Sequence, residues 1–137
     1  NFRILPGDTK EQVMQHVRAK VSAAVPGDKF ELFALPGAVD ASKVAPTDSA
    51  QYKVLNKTIR EIFPDALVAP GLMVAGTDSI HYGDISDHIF KFSPVRANPE
   101  DLKRFHGTNE RLSTGNYADA IRFYHRLITE TVAAQAK

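Results

Sequence analysis

Segments with helical spacing alternate along this chain with short apolar runs, and that alternation is what most restricts the fold. Apolar residues recur three or four positions apart after residue 8, after residue 48 and after residue 113, as in amphipathic helices. The short apolar runs between these segments are typical of strands. The predicted strands are 1–5, 30–35, 67–69, 72–75 and 88–92. Helices and strands in alternation predict the α/β fold class.

The sequence also predicts where the helices begin and which faces they bury. Asp8 is the expected N-cap of the first helix, with Glu11 completing a capping box, and Asp48 is the expected N-cap of the second. The last helix is expected to begin at Ser113 or Thr114. The expected buried stripe of the second helix is Tyr52, Leu55, Ile59, Ile62 and Phe63. In the last helix, residues three or four positions apart are apolar, namely Tyr117, Ile121, Tyr124, Ile128 and Val132. The aromatic positions of both later helices are expected in the core.

The start of the chain and one irregular stretch predict how it is organised. Asn1 to Leu5 has the pattern of a strand already under way, with no initiator Met and no polar lead-in before the Pro6-Gly7 turn. We therefore expect the sequence to be a piece of a longer protein. From Pro36 to Thr47 there is no period, only small residues and prolines, so a connection between domains is expected there. The predicted sections are residues 1–47 and residues 48–137.

Composition excludes several classes of function. The formal net charge of +1 provides no overall field to attract nucleic acid or an anionic membrane. The longest apolar stretch, 66–76, is broken by Pro70 and Gly71 and is too short to cross a bilayer. Cysteine is absent, which excludes disulfides, thiolate zinc sites and a cysteine nucleophile but leaves the compartment unknown.

His106 is the first candidate for chemistry, since no phosphate-binding loop, dinucleotide fingerprint, nucleophile elbow or zincin helix is present. It stands in the run Phe105-His106-Gly107-Thr108-Asn109-Glu110, where the glycine allows a metal or ligand to approach the imidazole closely. The alternative is a loop histidine hydrogen-bonded to the backbone, with Glu110 a solvated charge. One ligand cannot hold a metal, because a zinc site needs at least three from the protein.

Gly76 and Thr77 are the second candidates, in the run Gly76-Thr77-Asp78-Ser79 after a predicted strand. Binding groups often lie at such strand ends in α/β sheets. Thr77 could donate to a substrate oxygen, and the Gly76 backbone could approach a carboxylate. The alternative is a simple helix cap, with Asp78 or Ser79 starting a short helix.

Arg3 is the third candidate. An arginine within an apolar strand can bind an anion through two parallel hydrogen bonds. The alternative is a strand face that is open to water.

Three segments taken together resemble a known family. They are Asn1-Phe2-Arg3-Ile4-Leu5-Pro6-Gly7-Asp8-Thr9, then Gly76-Thr77-Asp78-Ser79, then His106-Gly107-Thr108-Asn109-Glu110. In order and separation they are similar to the co-catalytic zinc hydrolases, which include Gly-Xaa carboxypeptidase, aminoacylase, acetylornithine deacetylase and succinyl-diaminopimelate desuccinylase. The resemblance covers nearly the whole chain and is strongest to the carboxypeptidase and N-acyl-amino-acid hydrolase branch.

The resemblance implies the C-terminal part of a two-domain α/β enzyme with two zinc ions, with cobalt or manganese as alternatives. Residues 1–47 would be the second half of a sheet-and-helix lid with its connection, and 48–137 the last section of the catalytic domain. The lid commonly dimerises in this family. His106 matches the last metal ligand, Arg3 the lid arginine that holds the substrate carboxylate, and Gly76 and Thr77 the loop at that end of the substrate.

The resemblance also implies that most of the catalytic machinery precedes Asn1. The family's first metal histidine, bridging aspartate, paired glutamates and remaining acidic ligand have no counterpart here, and one of those glutamates is the general base. We therefore expect the upstream part of the same protein to complete the site. The expected substrate is a small peptide or an N-acyl amino acid, and the chain alone is expected to be inactive. The competing hypothesis is a non-enzymatic α/β module for dimerisation or partner binding.

Overall fold

The computed structural model describes residues 1–25, 27 and 29–135, and within them the regular structure is helical. There are four α-helices and one 3-10 helix in this described part. They are α1 (Lys10–Ala24), α2 (Ala50–Ile62), the 3-10 helix (Asp78–Tyr82), α3 (Pro99–Leu102) and α4 (Thr114–Gln135). Helices near all three helical patterns of the sequence are therefore confirmed.

The predicted strands are wrong for this chain as it stands. Segments 1–5, 30–35, 67–69, 72–75 and 88–92 form no strand within the described residues. A strand forms only when a neighbouring strand completes its hydrogen-bond ladder. The sequence pattern indicates only that the side chains would suit a half-buried sheet surface. Large apolar side chains in these segments, including Phe33, Leu35 and Leu67, stay exposed. The α/β class is therefore not confirmed by the described residues.

The helix caps lie one residue later than predicted. Thr9 caps α1 from an extended conformation, and its hydroxyl and the Gln12 side chain form the capping box. Asp8 instead closes the preceding turn by donating its backbone N–H to the carbonyl of Leu5 at 3.1 Å. At α2 the cap is Ser49, whose hydroxyl accepts from the backbone N–H of Tyr52 at 3.1 Å.

The core forms where α2 packs against α4. Leu55 and Ile59 of α2, with Phe63 just after it, surround Phe123 of α4, which is only 1% exposed. Thr58 is fully buried beside them. Its hydroxyl has a hydrogen-bond partner within the helix, because it donates to the carbonyl of Val54 at 2.9 Å. The predicted inward face of α2 is thus confirmed at these positions.

Of the aromatic positions of α4 that are expected in the core, Phe123 is buried, whereas the prediction is wrong for Tyr117 and Tyr124, which are exposed. Phe123 and Leu127 face α2, and the residues that recur three or four positions apart lie on another face of the helix. α4 carries apolar residues on two faces, so periodicity alone cannot tell which face a given partner covers. The exposed stripe is Tyr117, Ile121, Tyr124, Ile128 and Val132.

Ion pairs border the core between α2 and α4. Lys57 donates to Glu130 at 2.7 Å, and Arg126 donates to Glu61 at 2.7 Å. The hydrogen bond from Arg126 lowers the pKa of Glu61, and that from Lys57 lowers the pKa of Glu130. Because such surface pairs are screened by solvent, each adds little to the stability of the fold.

The chain divides into two compact units. The first unit is 1–45 with 72–89, in which Lys43 donates to Asp87 at 2.8 Å and Asp40 accepts from the backbone N–H of Lys10 at 2.6 Å. The second unit is 46–71 with 90–137 and contains the α2–α4 core. The division at residues 47 and 48 concerns the domains of the complete protein and stays a prediction. No helix of the described residues has the length and hydropathy to span a membrane.

Candidate metal-ligand and substrate-binding residues

His106 lies in an exposed turn, residues 103–110, that follows α3. Its backbone is left-handed, with φ of 59°, and Asn109 three residues later has φ of 63°. Histidine and asparagine adopt this conformation more often than other non-glycine residues, but it is still uncommon. Neither ring nitrogen of His106 is hydrogen-bonded to any residue that the structure describes, so the imidazole is open to a ligand.

A carboxylate from the same turn holds the His106 backbone. The backbone N–H of His106 donates to Oε2 of Glu110 at 3.2 Å, and the N–H of Glu110 donates to the carbonyl of Gly107 at 3.4 Å. The alternative hypothesis treated Glu110 as a solvated charge, whereas its carboxylate also accepts a hydrogen bond from the His106 backbone. The alternative also expected His106 to be hydrogen-bonded to backbone, whereas the bond that forms joins its own N–H to a side chain.

The helix before the turn is fixed by its own caps. Asn98 accepts from the backbone N–H groups of Glu100 and Asp101, and Asp101 accepts in return from that of Asn98 at 3.0 Å. The backbone hydrogen bond at Asn98 is the main cause that lowers the pKa of Asp101. Arg104 then pairs with the Asp101 carboxylate, two residues before His106. Short-range contacts thus define the path of the chain into the turn.

A second anchor ties the segment before α3 to the α2–α4 core. Arg96 donates to both carboxylate oxygens of Asp65, at 2.8 and 2.6 Å, and its guanidinium lies 5.2 Å from the centre of the Phe63 ring. The Arg96 hydrogen bond is the main cause that lowers the pKa of Asp65 to about 2. The Asn116 amide bonds the Arg96 backbone in both directions, accepting at 3.1 Å and donating at 2.8 Å.

Gly76 and Thr77 lie at the start of the 3-10 helix. Thr77 is its N-cap, and its hydroxyl accepts from the backbone N–H of Ser79 at 3.2 Å and lies 2.5 Å from the Ser79 hydroxyl. The short helix expected by the cap alternative is therefore present, with Thr77 as the cap. Both residues are exposed, and among the described residues no atom beyond Gly76 and its two chain neighbours lies within 4 Å of the place that a Cβ on Gly76 would occupy. The backbone at Gly76 is thus open to a ligand.

Arg3 lies in the same compact unit as Gly76 and Thr77, whereas His106 belongs to the other unit. The Arg3 side chain is exposed. No hydrogen bond or ion pair joins it to Gly76 or Thr77 in the described part of the chain. The roles of these four residues therefore stay predictions.

The described residues contain no group of three or more histidine, aspartate or glutamate side chains that could hold a metal ion. His106 is an exposed imidazole on a turn held by hydrogen bonds, which fits one ligand of a metal centre. It does not constitute a centre by itself.

The contact between Glu110 and His106 and the anchor formed by Asp65, Arg96 and Asn116 are the features that sequence reasoning missed. The contact between Glu110 and His106 could have been found from the sequence, because a carboxylate four residues after a histidine can reach back over a turn. The anchor had no such signal, since Asp65 is 31 residues from Arg96 and Asn116 is 20 residues beyond Arg96.

The chain is similar to curated proteins over nearly its whole length. It is 35% identical over 131 residues to "Probable carboxypeptidase S-like 2" of Dictyostelium discoideum, covering 96% of this chain. It is 35% identical over 130 residues to "N-fatty-acyl-amino acid synthase/hydrolase PM20D1.1" of Danio rerio and 33% identical over 131 residues to the PM20D1 protein of Homo sapiens, each covering 93% of this chain.

The chain spans about a quarter of the length of these relatives, 24% of the first two and 25% of the human protein. No family model matches the sequence, and no solved structure matches it. The identity extends across both compact units, because at most a few residues of the chain lie outside the matched region. The chain is therefore a homologue, as a section of about a quarter of their length, of the carboxypeptidase S-like proteins and the N-fatty-acyl-amino acid synthase/hydrolases.

Proposed function

We propose that the complete protein hydrolyses an amide or peptide bond next to a free carboxylate, as a carboxypeptidase or an N-acyl-amino-acid hydrolase. The observation that supports this is the identity of 33–35% to relatives bearing both kinds of name. A peptide C-terminus and an N-acyl amino acid share one chemical group, an acylated amine whose α-carbon carries a carboxylate. A site that recognises this group would serve either substrate.

In this proposal His106 provides one ligand of a centre that holds two zinc ions, with cobalt or manganese as alternatives. The exposed imidazole and the hydrogen-bonded turn fit that role. The remaining ligands and the glutamate that acts as general base come from the section of the protein that precedes Asn1. Such ions supply Lewis acidity toward an amide carbonyl and make water acidic enough to ionise near neutral pH.

Arg3, Gly76 and Thr77 bind the substrate carboxylate in this proposal. The planar guanidinium of Arg3 presents parallel N–H donors that match two carboxylate oxygens. The open backbone at Gly76 allows an anion to approach closely, and the Thr77 hydroxyl provides a further donor. These residues would select substrates by charge and leave the bond-breaking step to groups elsewhere.

The test is a comparison of two substrates in the complete protein. Arg3→Ala should raise KM for an N-acyl amino acid by roughly 10- to 100-fold, the value of a hydrogen-bonded charge. It should leave the slow hydrolysis of the matching carboxamide unchanged. Arg3→Lys is the matched control, because it keeps the positive charge and loses the paired hydrogen-bond geometry. Its KM for the N-acyl amino acid should lie between that of the wild type and that of Arg3→Ala. Equal losses on both substrates would contradict the role of Arg3.

Metal content tests the role of His106 separately. His106→Ala should lower the metal bound per protein at one site, measured by plasma mass spectrometry after dialysis. His125→Ala is the matched control, since this histidine is also exposed but lies on α4. Full metal occupancy in the His106 variant would refute the ligand role.

We also propose that these 137 residues are inactive by themselves, and that the lid section contributes to a homodimer of the complete protein. Support for both comes from the family resemblance. Turnover of an N-acyl amino acid by the isolated chain would refute the first, and a monomeric mass for the complete protein at micromolar concentration would refute the second.

A further inference from the structure

A groove with a volume of about 490 Å³ runs along the charged face of α2. Six of the seven side chains that line it belong to this helix, and the seventh is Thr47, two residues before the N-cap Ser49. All seven residues lie in the second compact unit, so the groove forms within one unit. Its volume is in the usual range of small-ligand sites. None of its residues belongs to the proposed metal or substrate site.

Two cationic side chains of the groove have no acidic partner in the described part of the chain. Lys57 and Glu61 lie 3.7 Å apart, and each also pairs with an oppositely charged residue of α4, so their charges are balanced. Lys53 and Arg60, by contrast, form no ion pair with a described residue, and both are exposed. The groove therefore presents two uncompensated positive charges.

A hydrogen bond within the helix holds the arginine of the groove. Nε of Arg60 donates to Oδ1 of Asn56 at 2.8 Å, which leaves both terminal amino groups of the guanidinium and the amide nitrogen of Asn56 as donors. Lys53, three residues before Asn56, lies on the same face of α2. The Cα atoms of Lys53 and Arg60 are separated by about 10 Å along the helix axis, so both side chains can reach a ligand that lies over Asn56.

We propose that this groove binds a phosphate monoester, a group that small phosphorylated metabolites share with some lipid headgroups. Lys53, Asn56 and Arg60 offer N–H donors, because the one acceptor among them already accepts from Arg60. This donor set suits an oxyanion. A phosphate monoester is largely a dianion at neutral pH, so it matches the two uncompensated charges, whereas a carboxylate would neutralise only one of them.

The rest of the groove suits the organic part of such a ligand. Arginine can pair with two phosphate oxygens at once, and lysine adds a point charge. The alkyl stems of the long side chains and the ring of Tyr52 provide an apolar floor. An aromatic phosphate monoester would therefore place its phosphate between Lys53 and Arg60 and its ring on this floor. The inference does not depend on the proposed reaction.

Protection of Lys53 from an amine-acylating reagent tests this proposal in the complete protein. Phenyl phosphate is the probe, and peptide mass spectrometry follows the acylation of each lysine separately. This local measurement is needed because a metal centre elsewhere in the protein could also bind phosphate. Phenyl phosphate should slow the acylation of Lys53 in a saturable way and leave Lys20, an exposed lysine of α1, unchanged. Benzoate at the same ionic strength should protect Lys53 less.

Two variants and a second probe complete the test. Arg60→Ala should raise the phenyl phosphate concentration at half-maximal protection by roughly tenfold, and Arg122→Ala, which removes an exposed arginine of α4, should not change it. Protection by phenyl phosphate indicates a soluble ligand, whereas protection only by vesicles that contain phosphatidic acid indicates a lipid headgroup. The proposal is overturned if neither probe protects Lys53, if Lys20 or benzoate gives the same result, or if Arg60→Ala has no effect.

Discussion

Arg96 donates to both carboxylate oxygens of Asp65, at 2.8 and 2.6 Å, while the same guanidinium lies over the ring of Phe63. The backbone of Arg96 is meanwhile bonded to the side chain of Asn116 near the start of α4. One residue thus joins the turn after α2, the segment before α3 and the first turn of α4. His106 follows ten residues later, so this anchor sets where its segment leaves the core.

The Asp65–Arg96 pair should make stability depend on pH in the acid range. The pKa of Asp65 is lowered in the folded protein to about 2 from its ordinary value of 3.8. The ionised carboxylate therefore contributes its full stabilisation of the fold above the unfolded-state pKa of 3.8. This contribution is lost as the pH falls through the folded-state pKa of about 2. Asp65→Asn should be less stable than the wild type at pH 6, and the difference should shrink as pH falls below 4.

Denaturant unfolding of the complete protein at a series of pH values measures this difference. The matched control is Asp84→Asn, because Asp84 is an acidic residue in the other compact unit. A difference between wild type and Asp65→Asn that stays constant from pH 6 to pH 3 would contradict the assignment of the shifted carboxylate.

Phe123 should be the most costly position on α4 to truncate. Its side chain is 1% exposed and contacts the rings of Phe63, Phe92 and Tyr124 at centroid distances of 6.5, 5.2 and 5.4 Å. Phe123→Ala should destabilise the second unit by about 3–5 kcal/mol, through lost transfer energy and the cavity that remains.

The neighbouring Arg122→Ala should change stability by less than about 0.5 kcal/mol, because the Arg122 side chain is 66% exposed in its pair with Asp119. Hydrogen exchange of α2 and α4 in the complete protein measures both effects locally. Equal losses of protection in the two variants would show that the inner face of α4 has been assigned incorrectly.

Thr77 should affect substrate binding through its hydroxyl if it holds the substrate carboxylate as well as capping the 3-10 helix. Thr77→Val keeps the shape and removes the hydroxyl, so it should raise KM for an N-acyl amino acid by roughly tenfold. Thr77→Ser should remain near the wild-type value.

Ser79→Ala provides the control for the contact between the Thr77 and Ser79 hydroxyls at the start of the 3-10 helix. It removes the hydroxyl that lies 2.5 Å from Thr77 Oγ1 but keeps the backbone N–H that the cap accepts. If Ser79→Ala raised KM as much as Thr77→Val, the effect would come from the order of the helix and the substrate role would be refuted.

The sequence predicted those parts of the fold that depend on short-range pattern. The α2 stripe at Leu55 and Ile59 was correct, because α2 has one apolar face and, in the part of the chain that the structure describes, packs on α4 alone among the helices. The caps at Thr9 and Ser49 were each missed by one residue, since Asp8 and Asp48 are equally good capping residues and only the backbone conformation decides between neighbours.

What the sequence could not predict depends on partners far along the chain or outside it. A segment such as 1–5 has the alternation of a strand, but a strand needs a neighbour to complete its ladder. On α4, both Phe123 and Tyr124 belong to apolar stripes, and only the position of α2 determines which is buried. The motif around His106 located an accessible imidazole, whereas the left-handed backbone that presents it came only from the structure.

If His106 is a metal ligand, as proposed, Glu110 should position it by holding its backbone. The carboxylate accepts the His106 N–H at 3.2 Å, across a turn with two left-handed non-glycine residues. Glu110→Ala removes that acceptor, so the turn should relax toward commoner backbone conformations and carry the imidazole with it. Partners that orient a metal ligand are typically worth tenfold or more in metal affinity, and we expect a loss of about tenfold.

Two variants separate the hydrogen bond from the charge of Glu110. Glu110→Gln keeps an acceptor oxygen at the same place and should retain most of the metal affinity. Glu100→Ala removes an exposed carboxylate that pairs with Lys103 nearby and should have no effect. Metal titration of the complete protein, after removal of its metal with a chelator, measures all three. If Glu110→Gln lost as much affinity as Glu110→Ala, the negative charge and not the turn geometry would be the contribution of this residue.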